Sequence, residues 1–140
     1  MGKEQMGIKG DIGNEHDIKI MVDSFYEKVN KDDLLSPIFN DFSKVNWETH
    51  LPRMYAFWNK MAFAKSGYDG NPFQKHIPLP IDGAHFERWI SIFVGNMDEH
   101  FSGGVAEDIK IRAHSIAYIF KSKLNIINKD KNHENIIPDK

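Results

Sequence analysis

Apolar residues along the chain fall into four stretches with helical spacing, separated by polar or proline-rich connectors. In the first, Ile18, Met21, Val22, Phe25, Tyr26 and Val29 recur at offsets of three and four, which places them on one buried face of a helix from about Glu15 to Lys31. Asn14 stands where a cap is needed, and Asp17 lies near the capping-box position. Tyr26 sits between Val22 and Val29 on that face, so its ring points inward and its hydroxyl needs a partner. Leu34-Leu35-Ser36-Pro37-Ile38-Phe39 breaks the helix while continuing to bury apolar surface.

The second helix is expected from Trp47 to about Ala64. Trp47, Leu51, Met54, Trp58 and Met61 are spaced four, three, four and three apart. A stripe beside it runs His50, Met54, Phe57, Met61, so His50 stands at the edge of the apolar face. Pro52 removes the hydrogen bond to the Glu48 carbonyl, which predicts either an irregular first turn or a later start. A third helix is expected from about His85 to Phe101, capped by Asp82, with Phe86, Trp89, Ile90, Phe93, Val94, Met97 and Phe101 inward and Gly103-Gly104 ending it. A fourth runs from about Ala106 to Ile126 through Ile109, Ala113, Ile116, Phe120, Leu124 and Ile127. Glu107 and Asp108 open it and Lys121 and Lys123 lie near its end, as the helix dipole prefers. With four helices and no alternating strand pattern, the fold class is all-α. Residues 1–13 and 128–140 are polar and are expected to be flexible, leaving one domain over 1–140 with a core of about 15–127.

Composition narrows the chemistry. The 140 residues carry a net charge of −2 and no basic stripe with interleaved aromatics, so nucleic acid and anionic membranes are not expected partners. There is no cysteine, which removes disulfides, thiolate nucleophiles and Cys-type zinc sites and is compatible with a reducing cytoplasm. No apolar run reaches the length of a membrane span, and the polar N-terminus lacks a signal core. Ten Phe, four Tyr and three Trp are present, several beside histidines on helical faces.

The connector from Lys65 to Gly83 holds the most unusual stretch, Asn71-Pro72-Phe73-Gln74-Lys75-His76-Ile77-Pro78-Leu79-Pro80-Ile81-Asp82-Gly83. Asn71-Pro72 is a helix start, a capping Asn followed by Pro in the first helical position. Ile77 precedes Pro78 and is biased away from helical geometry, so the helix lasts about one turn and His76 is its last residue. Phe73, Ile77, Leu79 and Ile81 anchor the connector on something apolar. Two readings of His76 remain at this point: a solvent-exposed loop histidine, or a metal ligand fixed by local stiffness. No second His stands three or four residues away to form a chelating pair for zinc. One histidine is enough for iron when a porphyrin supplies the other four nitrogens, and the aromatic helix faces would wall such a cofactor. Spacing alone equally allows Trp89 in the core, a Tyr26 hydroxyl donating to a backbone carbonyl, and His50 in solvent.

Four segments together resemble the globin superfamily, specifically the group III truncated haemoglobins. Phe25-Tyr26-Glu27-Lys28-Val29 with Leu34-Leu35-Ser36-Pro37-Ile38-Phe39 resembles the B helix and the turn after it. Trp47-Glu48-Thr49-His50-Leu51-Pro52-Arg53-Met54, with Phe57-Trp58, resembles the E helix. Tyr68-Asp69-Gly70-Asn71-Pro72-Phe73-Gln74-Lys75-His76 resembles the haem-ligand segment, and His85-Phe86-Glu87-Arg88-Trp89-Ile90-Ser91-Ile92-Phe93 the G helix. The order and spacing match over about residues 15 to 126. The Gly-Gly pairs that the other two truncated groups tend to carry at the first corner and before the ligand segment are missing, and the one pair in this chain, Gly103-Gly104, falls later.

The resemblance implies a truncated 2-on-2 globin-like helical sandwich around haem b (iron protoporphyrin). It implies His76 as the iron ligand, with Tyr26 and Trp89 hydrogen-bonding a bound ligand and His50 as a distal histidine or gate. Phe39 would pack against the porphyrin, Met54 would supply an apolar distal wall, and Arg53 would reach a propionate, with Lys75 and Arg88 as further candidates. Expected ligands are O2, NO and CO, held tightly and released slowly, in a cytoplasmic monomer with a possible reductase partner. Fold does not assign function. A haem redox enzyme, either an NO dioxygenase or peroxidase-like, stands as the alternative, and a haem-free helical interaction module as a third reading.

Overall fold

The computed structural model describes residues 9–136 except Asp69, with side chains described through residue 128. The helices are α1 (Glu15–Val29), α2 (Trp47–Phe63), α3 (Pro72–His76), α4 (Gly83–His100) and α5 (Gly104–Ile136), with a π-helical turn at Ile38–Phe42. Among the described residues there is no strand, and the all-α class holds. α1 packs on α2 and α4, α4 on α5, and α2 on α5, giving two helix pairs laid one over the other.

Local chemistry sets most of the boundaries. The Asn14 side chain accepts from Asp17 N at 2.9 Å, and Asp17 in turn accepts from Gly13 N at 2.9 Å, so two donors at the start of α1 are satisfied. Asp82 and His85 form a reciprocal box at the start of α4: Asp82 accepts from Ala84 N at 3.0 Å, and His85 Nδ1 accepts from Asp82 N at 3.1 Å. Asn46 caps α2, which passes unbroken through Pro52. The later start allowed for this helix does not occur. Pro52 and Glu48 are both exposed, so water can take up the carbonyl that the proline leaves unpaired.

One continuous core joins Ile18, Met21, Val22, Phe25 and Val29 of α1 to Trp58 of α2, Phe93 and Met97 of α4, and Ile109 and Ala113 of α5. Phe93 is its hub, 1 % exposed, with rings of Phe25, Trp58 and Trp89 at 5.2, 5.0 and 5.3 Å. The single buried polar residue in the described core, Asn96, donates to the Met21 carbonyl at 3.1 Å and accepts from Lys28 Nζ at 2.7 Å. That bond set ties α4 to α1 without leaving Asn96 unpaired.

Both ends extend further than the sequence pattern suggested. Ile12 is 1 % exposed and belongs to the core. Asp11 accepts from Val105 N at 2.9 Å and Ala106 N at 2.8 Å, capping α5 from the far end of the chain. These bonds hold its carboxyl below the ordinary 3.8, against the opposing effect of burial. Gly103 makes this possible, since it has a positive φ of 145° and a side chain there would collide with Asp11. Residues 9–13 are thus part of the packed structure, and residues 1–8 lie outside the described ones. α5 continues ten residues past the expected Ile126, to Ile136, in the stretch where its apolar repeat fades.

Candidate functional site

α1, α2, α3, α4 and α5 all contribute to a cavity of about 420 Å3 with mainly apolar walls. That volume lies in the range of roughly 300–1,000 Å3 typical of small-molecule and cofactor sites. Tyr26, Phe39, His50, Arg53, Met54, His76 and Trp89, seven residues expected at a common site, all line it. Lys75 lines it as well. Arg88 does not join them, because its guanidinium donates to Asp32 Oδ1 at 2.6 Å on the outer side of α4.

Two groups of rings face this space. The first is built from α1, the π-helical turn and α2. Tyr26 has Phe39, Trp47 and His50 around it at centroid distances of 5.7, 5.3 and 5.3 Å. The π-helical turn swings Phe39 into place, where it stacks on Trp47 at 5.8 Å. The Trp47 N–H is satisfied by Asn40 Oδ1 at 2.9 Å. Tyr26 is almost fully buried, and burial alone pushes its hydroxyl far above the ordinary tyrosine value. Its proton is therefore retained at any physiological pH, and the group is a donor. His50 has Nε2 buried with no partner among the described residues. Burial, then the nearby charges of Arg53 and Lys75, lower the imidazole below its usual 6.5 and keep it neutral. A buried, unpaired imidazole nitrogen and an inward hydroxyl point to a guest that the protein alone does not supply.

The second group sits on α3 and α5. Asn71 accepts from Gln74 N at 3.4 Å to open α3, and Pro72 occupies its first position. His76 closes it, with Nδ1 2.6 Å from the Pro72 carbonyl. A carbonyl only accepts, so Nδ1 carries the proton and donates, which leaves Nε2 with a free lone pair. Burial lowers His76 below 6.5, against the opposing effect of that hydrogen bond, so the ring is neutral. Phe120 of α5 packs against both His76 and Phe73 at 5.0 and 5.3 Å. Phe73, Ile77 and Ile81 bury themselves on Phe86, Ala117 and Leu124, which is the apolar footing expected for this connector.

Sequence reasoning missed several cavity residues. Tyr68, Phe86, His85, Ala117 and Phe120 line the space without having been singled out. Phe86 and Phe120 carried the right signal, because they lie on the inward faces of their helices. Tyr68 had none, because its neighbours Ser66, Gly67, Asp69 and Gly70 are polar or glycine and set no apolar period. Of the histidines given no site role, His16, His100 and His114 stay away from the cavity. His133 lies outside the residues whose side chains are described.

Residues 9–124 match the bacterial-like globin family. The chain belongs to that family, and its truncated-globin fold carries the family's chemistry, haem-based binding of small ligands. The group 3 truncated haemoglobin of Campylobacter jejuni is 33 % identical over 115 residues, covering 79 % of this chain and 91 % of that protein. The crystal structure of a group III truncated haemoglobin from Campylobacter jejuni matches with a TM-score of 0.76 at 32 % identity, over 83 % of this chain and 94 % of that one.

The residues lining this cavity fit a haem. The walls are apolar, one imidazole has its second nitrogen free, another buried imidazole nitrogen has no partner among the described residues, and a tyrosine hydroxyl lies on the same wall. Among the described residues no cluster of three His, Cys, Asp or Glu side chains could hold a bare metal ion instead. No described helix is long and apolar enough to cross a membrane.

Proposed function

We propose that this chain holds haem b through His76 and binds dioxygen and other diatomic ligands reversibly, with tight retention and slow release. When bound, haem supplies an iron with a position open to a diatomic ligand and gives that ligand partial negative charge. Everything else follows from the chain's own side chains. His76 coordinates through Nε2, and its Nδ1–H, held by the Pro72 carbonyl at 2.6 Å, fixes the tautomer and the ring's direction. Phe73 and Phe120 restrict the ring from the side.

Tyr26 stabilises the ligand's negative charge by donating its hydroxyl hydrogen, and Trp89 does so with its indole N–H. Between the apolar walls of the cavity each such bond is stronger than it would be in solvent. Neutral His50 offers a further polar contact beside Tyr26 or gates the way in. Phe39 and Met54 pack on the cofactor, and Arg53 pairs with one of its carboxylates. The observation that carries the reading is the Tyr26 hydroxyl, a retained proton on the wall of an apolar cavity, raised by burial and by nothing else.

The test is the dissociation rate of dioxygen from the reduced, haem-loaded protein, by stopped flow, for wild type and Tyr26→Phe. Loss of a hydrogen bond to a charged acceptor is expected to speed release by about tenfold or more. An unchanged rate removes Tyr26 from the role.

A further inference from the structure

The connector that leads into α3 carries a buried tyrosine that the ligand-binding account does not use. Tyr68 is 8 % exposed, lines the cavity, and rests edge-on against Phe57 at 5.2 Å. Its backbone carbonyl accepts from Lys60 Nζ at 3.2 Å, which ties the connector back to α2. Over its ring stands the Arg53 guanidinium, 5.3 Å from the centroid. Two residues on, Gly70 keeps the space clear. A Cβ there would come within 2.7 Å of Arg53 Nη2 and 2.9 Å of the Tyr68 hydroxyl. Arg53 also lines the cavity, and its charge reaches His50.

Arginine is a long, exposed side chain with much rotamer freedom, so a cation at the mouth of a cavity is useful as an anchor only when something orders it. An aromatic face does this by attraction to its π-electrons and by matching the planar guanidinium. Tyr68 supplies that face from a chain segment fixed on two sides, and Gly70 supplies the clearance.

We infer that Tyr68 is a positioning residue: it clamps Arg53 at the cavity mouth, with Gly70 as the required gap, so that Arg53 presents a preformed cation to a carboxylate of the bound cofactor. The inference rests on the proposed haem site. It makes the connector between α2 and α3 a part of cofactor retention as well as the support of His76.

The experiment follows haem loss from the oxidised protein to an excess of a haem acceptor, by absorbance, for wild type, Tyr68→Leu, Tyr68→Phe, Gly70→Ala and Arg53→Leu, with the doubles of Arg53→Leu. Tyr68→Leu is expected to speed loss by about two- to fivefold, the worth of a cation–π contact at an exposed site. Tyr68→Phe keeps the ring and stays within about twofold of wild type. Gly70→Ala crowds both the guanidinium and the Tyr68 ring, breaking their stacking from the other side, and speeds loss as Tyr68→Leu does. It therefore covers the case in which the leucine variant folds poorly. In the Arg53→Leu background neither change adds to the rate.

Wild-type rates in both Tyr68→Leu and Gly70→Ala would overturn the clamp while leaving the haem site standing. Effects of equal size with and without Arg53 would also overturn it, by showing that the tyrosine acts through the fold alone. A wild-type chain that takes up no haem would overturn the site and the clamp together.

Discussion

The two ring groups around the cavity reach a fixed geometry by different means. Tyr26, Phe39, Trp47 and His50 are held by mass: long helices, shared aromatic contacts and the core behind Phe25 and Phe93. His76 sits on a helix of five residues, too short to be stable by itself, and is held by backbone chemistry. Asn71 starts the turn, Pro72 presets its first dihedral and supplies the carbonyl that fixes the ring, and Pro78 follows the end. The contrast is between precision by packing, which is spread over many contacts, and precision by a few local bonds. The first should fail globally when a hub is removed. The second should fail locally, with the rest of the fold intact.

Removing the hub gives the largest effect. Phe93→Ala is expected to cost about 3–5 kcal/mol of stability, as large-to-small changes in a well-packed core do. Chemical denaturation of the cofactor-free protein measures it, and a loss below about 1 kcal/mol would contradict the packing account. Next comes Tyr26→Phe, which separates function from stability at one atom. Release of dioxygen accelerates by about tenfold, while the cofactor-free fold is nearly unchanged, because the ring and its aromatic contacts are kept. A clear loss of stability would mean that the hydroxyl is bonded within the protein after all.

On the other side of the comparison, Asn71→Ala removes one cap. Its bond is long at 3.4 Å, so the expected effect is at the low end of capping energies, about 0.5–1 kcal/mol. It should appear as faster haem loss, with the thermal midpoint of the cofactor-free protein nearly unmoved. A midpoint that drops as far as it does in Phe93→Ala would erase the distinction between the two regions.

The smallest effect is shared by both. His50 and His76 are each lowered below 6.5 chiefly by burial. In the window between their folded and unfolded values the unfolded chain binds more protons, so stability rises with pH there. Their contribution is full above about pH 6.5 and is lost as pH falls through the lower folded values. Thermal midpoints of the cofactor-free protein should fall on acidification below pH 6.5, and His50→Gln should flatten that fall.

What was legible in the sequence followed locality. The caps at Asn14, Asp82 and Asn71, the brief helix ending at His76 and the inward faces of four helices depend on neighbours within a turn, and all are found. The gathering of Tyr26, His50, His76 and Trp89 around one space was legible only through the globin resemblance, because their spacing says nothing of how the helices cross. Interactions between distant segments left no pattern. Asp11 caps a helix 94 residues away, Arg88 turns outward to Asp32, and Asn96 is buried on a bond to Met21. The extension of α5 to Ile136 was hidden because its last turns are polar. Tyr68 was invisible because it lies in a connector and its partner Arg53 is on α2.

The central claim is that His76 is the one protein ligand of a haem. The visible spectrum of oxidised, reduced and carbon monoxide-treated protein, for wild type and His76→Ala, tests it most directly. The account predicts a Soret band that shifts with carbon monoxide in the wild type, and a weakened band or altered ligation in the variant. A wild type that binds no haem even after reconstitution, or a variant with an unaltered spectrum, would contradict it.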